Sequence, residues 1–189
     1  MTNKLFEVSK NIIEPAAAYF LAAFEKLKES NSISQFVIAN SDMDIHIHVD
    51  IIGLFPSPAD SGYDMNYKYY QVKMETSYSN NIGVKTEELE TEWVHGEPII
   101  YCVVRDTVNV DSLYSQMLHN GVQATLDAFI QTYPVFYLID RKKLLDVIKT
   151  HPCNTLKHTS RAGTPVNVTY IPKELIGTYA DITINLKLY

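Results

Sequence analysis

The chain is short of the features that announce most functions. It has two cysteines in 189 residues, Cys102 and Cys153, too few and too far apart for a disulfide framework or a thiolate zinc site. No run approaches the ~18 apolar residues of a membrane span, and MTNKLFEVSK lacks the apolar stretch of a secretion signal, so a cytoplasmic protein with no membrane partner is expected. The formal charge is −6, which argues against coating nucleic acid by charge alone, because that affinity comes from clustered Lys and Arg. There is no G-x-S-x-G, no P-loop and no G-x-G-x-x-G. A serine nucleophile or a nucleotide cofactor is therefore not indicated, and Cys102 lies in an apolar run that reads as core.

What is present is an ordinary globular balance, 46% hydrophobic and 20% charged, and a length within one domain, so residues 1–189 are expected to form a single unit. NIIEPAAAYFLAAFEKLKE (11–29) has helical spacing, with Pro15 placed in a first turn. From Asp44 to Asp50 polar and apolar residues alternate strictly, which predicts a strand with Asp44, His46, His48 and Asp50 on one face. The Pro- and Gly-bearing PSPADSGYDMN predicts a loop, with YKYYQVKMETSY returning antiparallel.

Thr86 and EELETEWVHG predict a capped helix closing at Gly96. PIIYCVVRD predicts a strand covered on both faces. The segment VDSLYSQMLHNGVQATLDAFIQTY predicts helix with a break at Asn120–Gly121. PVFYLID, VNVTYIP and DITINLKLY predict strands, and RKKLLDVIKTH a short helix. The class is α/β (α+β), with a central mixed sheet flanked by helices.

One strand raises a question of chemistry. In YYQVKMETSY, alternation puts Tyr69, Gln71, Lys73 and Glu75 on one face and Tyr70, Val72 and Met74 on the other. Either that face is the wet side of an antiparallel sheet, or it is covered, in which case a lysine there needs a partner or a purpose, since an unpaired buried charge costs several kcal/mol.

An Asp near the start of one strand, followed after a hairpin by Gln-x-Lys on the next, resembles the PD-(D/E)xK restriction-endonuclease-like superfamily. DMDIHIHVDI resembles the G-I-D-x-H-x-E strand of an uncharacterised bacterial family within it, a domain of unknown function also found in larger defence proteins. YYQVKMETSY resembles that family's L-Q-x-K-S-G-x-S-Y, and EWVHGEPIIYCVVRD its Y-W-x-x-H-x-x-P-V-I-L-V-x-Y-D. The resemblance covers about residues 10–115 and implies a restriction-endonuclease-like fold. It also implies catalytic residues Asp44, Gln71, Lys73 and Glu14, the last from the first helix, with Asp44, Gln71 and Glu14 as metal ligands. Asp50 and His48 are alternates: Asp50 serves if the register is shifted, and His48 stands where the family has a strand glutamate.

Such a site would take Mg²⁺, or Mn²⁺, on hard oxygen donors. Lys73 would lie beside the attacking water and the scissile phosphate. The implied activity is Mg²⁺-dependent DNA cleavage in restriction or phage defence, with DNA as partner and a homodimer left open. Two other readings stand beside it. A catalytically inactive module of the same fold, binding nucleic acid or protein, is favoured by the net acidity and by the neutral amide at Gln71. A phage-type structural or assembly protein is suggested by the 13 tyrosines.

Overall fold

The computed structural model describes residues 4–28, 34–40, 48–56, 65–76, 81–90, 93–94, 97–159 and 163–188. The chain opens with α1 (Lys4–Val8), a π-helical turn (Ser9–Ile13) and α2 (Glu14–Lys28). It continues through strands β1 (Gln35–Ile38), β2 (Ile51–Pro56), β3 (Met65–Thr76) and β4 (Asn81–Lys85), then α3 (Thr86–Glu90), β5 (Trp93–Val94) and β6 (Glu97–Val108). Helices α4 (Val110–Asn120) and α5 (Val122–Gln131) precede β7 (Phe136–Asp140), α6 (Arg141–Thr150), β8 (Asn154–Thr159) and β9 (Pro165–Pro172). Helix α7 (Lys173–Tyr179), β10 (Ile182–Ile184) and a 3₁₀ turn (Leu186–Leu188) close the described chain.

The first helix starts earlier than its sequence pattern predicts, and Pro15 explains its form. Proline has no N–H to give and its ring crowds the carbonyl four residues back. Here the turn before it widens, so that the Glu14 N–H bonds Ser9 O, five residues back, and the helix passes Pro15 without breaking. Beyond it, Ala16, Ala17, Phe20, Leu21 and Phe24 form one buried stripe, the i, i+3/i+4 pattern of a helix that covers a sheet.

That sheet runs β1-β2-β3-β6-β7-β10, with β5 added to β6. Strands β3 and β6 are parallel, and the other neighbours along this path are antiparallel. A parallel pair needs a long crossover, and β4 and α3 lie within it. Alternation then divides the core. Tyr70, Val72, Cys102, Val104, Phe136 and Leu138 face α2, with α4 and α5 packed on the same cluster through Leu113 and Phe129. Tyr69, Ile99, Tyr101, Val103 and Ile139 face a second cluster with Leu144 and Val147 of α6, Ile176 of α7, and Ile82, Val84 and Ile171 from a small sheet of order β4-β9-β8. The protein is thus of the α/β class, with a mixed sheet covered on both faces, which is why β6 reads as a nearly unbroken apolar run.

Three expectations are corrected. The alternating segment that ends at Asp50 is not strand over 48–50: β2 begins at Ile51, and His48 has φ 54°, in the left-handed region. The helix expected to reach Gly96 ends at Glu90, and Trp93–Val94 pairs antiparallel with Glu97–Pro98 instead. The final strand is confined to Ile182–Ile184, after which the Asn185 side chain accepts the Lys187 N–H, a local bond that competes with extension of the ladder. The helical break at Gly121 is observed, with φ 86° there, a conformation glycine adopts without steric penalty. No helix among the described residues is long and apolar enough to cross a membrane.

Candidate functional site

Strand β3 carries the polar residues, and its neighbours decide what becomes of them. Ile51 sits opposite Tyr70 in the antiparallel register of β2 and β3, so Asp50 lies where β2 begins. Its N–H still donates to Tyr70 O, at 2.9 Å. The next step of the ladder is different: the Val72 N–H donates not to a carbonyl but to Asp50 Oδ2, at 2.7 Å, and Gln71 Nε2 donates to the same oxygen, also at 2.7 Å. A carboxylate oxygen has lone pairs for both donors, and such charge-assisted bonds are short. The carboxylate of Asp50 thus occupies the sheet position that the β2 backbone vacates.

The other oxygen of Asp50 faces the first helix. Lys10 Nζ lies 3.4 Å from Asp50 Oδ1 and 3.0 Å from Glu14 Oε2, and Ser9 Oγ donates to Glu14 Oε1 at 3.3 Å. Glu14 and Asp50 are 1% and 4% exposed and Gln71 is 5% exposed. Two buried carboxylates, one from the first residue of α2 and one from the foot of β2, therefore meet at the Lys10 ammonium, with the Gln71 amide nitrogen bonded to Asp50. Among the described residues Gln71 Oε1 is buried with no hydrogen-bond partner, an unusual condition for a buried polar atom, which ordinarily finds one.

The rest of the β3 polar face is paired, which removes the wet-side expectation. Lys73 Nζ bonds Glu88 Oε2 of α3 at 2.7 Å. Glu75 is buried and forms an ion pair with Lys173 of α7. Burial by itself would raise the Glu88 carboxyl, but the charge and hydrogen bond of Lys73, with further help from Lys85, hold it below the usual 4.5. Beside Gln71 in the parallel register stands Tyr101, whose buried hydroxyl also lacks a hydrogen-bond partner among the described residues. Burial, and then the charge of Glu88, push its pKa well above the usual 10, with Arg141 opposing. Burial, assisted by the charge of Asp50, also drives the Cys102 thiol well up, so it stays protonated and unreactive.

Of the residues singled out in the sequence, Glu14, Gln71 and the alternate Asp50 come together, and Lys73 stands two positions along the same strand face, held by Glu88. Asp44 and His46 lie outside the described residues. No hydrogen bond among the described residues joins His48 to the group. The basic stretch Asp140–Lys143 serves local needs: Asp140 caps α6 by accepting the Lys143 N–H, Arg141 is buried, and Lys143 pairs with Asp181 at 2.7 Å. In the basic stretch 156–161, Lys157 and His158 are exposed on β8, and Arg161 lies outside the described residues.

Sequence reasoning missed Lys10, Glu88 and Lys173. Lys10 had a signal, its i, i+4 spacing to Glu14; Lys173 had none. Among the described residues no group of three or more His, Cys, Asp or Glu side chains is placed to hold a metal ion. The oxygen donors brought together are the carboxylates of Glu14 and Asp50, while Gln71 turns its Nε2 to Asp50; one or two carboxylates with several retained waters is the kind of set Mg²⁺ takes.

No protein-family model matches this chain, and no curated protein or solved structure matches it either.

Proposed function

We propose that the protein is a Mg²⁺- or Mn²⁺-dependent DNA endonuclease of the restriction-endonuclease-like kind. The observation that carries this reading is the joining of Asp50, at the foot of one strand, to Gln71 and the Val72 N–H of a Gln-x-Lys strand, with Glu14 of the first helix bound to the same ammonium. That is the order and strand setting of the motif the sequence resembles, with Asp50 in the role first given to Asp44. The carboxylates of Glu14 and Asp50 would hold the cation. Bound there, a divalent ion would neutralise charge on a phosphodiester and lower the pKa of a water.

The chain's own groups have defined tasks. The Val72 N–H fixes the Asp50 carboxylate, so that the ligand is positioned before any cation arrives. Lys73, on the same face as Gln71, supplies an ammonium to stabilise charge on the attacked phosphate. Glu88 restrains that ammonium, and its hold must loosen or rotate for Lys73 to reach a phosphate. A second reading, an inactive module of the same fold that binds a nucleic acid or protein, is favoured by that same contact and by the neutral Gln71.

Supercoiled plasmid incubated with the protein and Mg²⁺ or Mn²⁺, beside Asp50→Asn and Lys73→Ala, tests the proposal. Wild-type protein is expected to relax or linearise the plasmid, and each variant to lose at least about a hundredfold, the scale of one transition-state charge contact. Equal rates for wild type and both variants would remove the catalytic reading; retained DNA binding with no metal dependence would favour the inactive module.

A further inference from the structure

We propose that Glu88 is an autoinhibitory latch: its carboxylate fills an anion position formed by Lys73 and Lys85, and a phosphodiester of nucleic acid takes that position by displacing it. The inference rests on the reading of Lys73 as the ammonium that meets the phosphate, and it adds the means by which that ammonium is kept out of use.

Three donors converge on one carboxylate. Lys73 Nζ lies 2.7 Å from Glu88 Oε2, the Lys85 N–H donates to the same oxygen at 3.3 Å, and Lys85 Nζ stands 3.7 Å from Oε1. Two ammonium groups and a backbone N–H are the donors that hold an oxyanion, and they suit a phosphate oxygen as well as a carboxylate. The two anions repel each other, so they compete for one position.

The position has a way in from solvent. The Lys85 side chain is 46% exposed and that of Lys73 14%, so the ammonium groups lead inward and a phosphate met by Lys85 is drawn toward Lys73. Opening asks little of the fold. Lys73 ends a flexible four-carbon stem, and Glu88 sits on α3, whose five residues have little helical stability of their own. Leu89 anchors that helix in the second cluster, while its start is tied by a long bond of 3.4 Å from Thr86 Oγ1 to Asn167 O.

Stability alone does not call for the pair, because apolar side chains of similar volume in a covered place are often as stable or more so. The lysine withdrawn is also the one on the face of Gln71, two positions from the Gln71–Asp50 contact. In the free chain Glu88 therefore keeps the phosphate position shut, and it opens to a polyanion that engages Lys85 and Lys73 together.

Fluorescence anisotropy of a labelled duplex oligonucleotide, with chelator present and at one fixed low salt concentration, tests this on wild type, Glu88→Gln, Glu87→Gln, Lys73→Met and the Lys73→Met/Glu88→Gln double variant. Glu88→Gln is expected to bind at least about fivefold more tightly than wild type, because the fraction of protein open to phosphate rises. Glu87→Gln makes the same charge change one residue away, on an exposed side chain. It measures the effect of net charge alone and should gain less than about twofold. Lys73→Met by itself should shift binding by less than about twofold, since its ammonium is already occupied, and in the double variant it should remove the gain.

Equal or weaker binding by folded Glu88→Gln, as a purely structural ion pair would give, overturns the proposal. A gain matched by Glu87→Gln, or kept without Lys73, overturns it too. If Glu88→Gln does not fold, Glu88→Asp takes its place, with a carboxylate too short to hold Lys73 at contact distance from the same backbone; the same gain is expected and its absence is equally decisive. Failure of the nuclease reading looks different. Tighter binding in Glu88→Gln, with no cleavage of plasmid by either protein in Mg²⁺, would sink catalysis and leave the latch standing, whereas wild-type cleavage with no gain in Glu88→Gln would sink the latch alone.

Discussion

Replacing Glu88 by Gln removes one charge from a covered ion pair and little volume. Glu88 is 4% exposed at the side chain and Lys73 14%, so the deletion leaves an ammonium mostly shielded from water. Breaking a buried pair from one side costs roughly 3–5 kcal/mol. Glutamine keeps an amide oxygen that can accept from Lys73 and from the Lys85 N–H, which Glu88 now accepts at 3.3 Å, and Lys73 keeps some access to solvent. The expected loss is therefore about 2 kcal/mol, or about 1 M in the urea midpoint for an m-value near 2 kcal/mol/M.

The pH dependence has a definite sign. The folded Glu88 carboxyl lies below 4.5, so the unfolded chain takes up its proton first as pH falls. The stability contributed by the ionised form is complete above the unfolded value and is lost as pH drops through the folded one. Urea melts of wild type and Glu88→Gln should differ fully at pH 7 and converge below about pH 4. A double-mutant cycle with Lys73→Met should give a coupling of at least about 1 kcal/mol. A cost under about 0.5 kcal/mol at pH 7, or a difference that does not shrink in acid, would refute the assignment of Glu88 as the charged partner of Lys73, since ~0.5 is the level of an ordinary surface change.

Other outcomes follow from packing and burial. A Cβ at Gly53 would meet ring carbons of Phe55 at 2.8 Å, Phe36 at 3.0 Å and Tyr70 at 3.2 Å, so Gly53→Ala should cost about 1–3 kcal/mol and lower the melting temperature by several degrees, read by calorimetry. Cys102 is fully buried with its thiol pushed far up, and Cys153 is only partly buried; at pH 8 a disulfide reagent should titrate at most one thiol in the native protein and both in denaturant. In direct binding measurements, Asp50→Asn should abolish Mn²⁺ uptake while the cation-free protein stays folded by circular dichroism, because asparagine keeps one oxygen for the Val72 N–H.

Local periodicity made much of the scaffold legible. Alternation in YYQVKMET (69–76) is the pleat of β3, so the two faces followed from sequence, with Tyr70 in one cluster and Tyr69 in the other. The unbroken run after Pro98 meant a strand covered twice, and the Asn120–Gly121 break was written in the one residue type that accepts φ 86° freely. Where local signals misled, a tertiary or short-range bond competed: the segment ending at Asp50 has strand alternation, yet β2 starts one residue later because the Asp50 carboxylate, not a backbone carbonyl, takes the Val72 N–H.

The sequence by itself determined the class of the fold, the faces of its central strands and the presence of Gln71 and Lys73 on one of them. Only the tertiary structure decided what those side chains meet. Gln71 and Asp50 are 21 residues apart and Lys10 and Asp50 are 40 apart, while Glu75 finds its cation on a helix near the far end of the chain. A repeat of two or 3.6 residues reports which way a side chain points. Which charge waits there depends on how strands and helices from distant parts of the chain are brought side by side, and no local pattern encodes that.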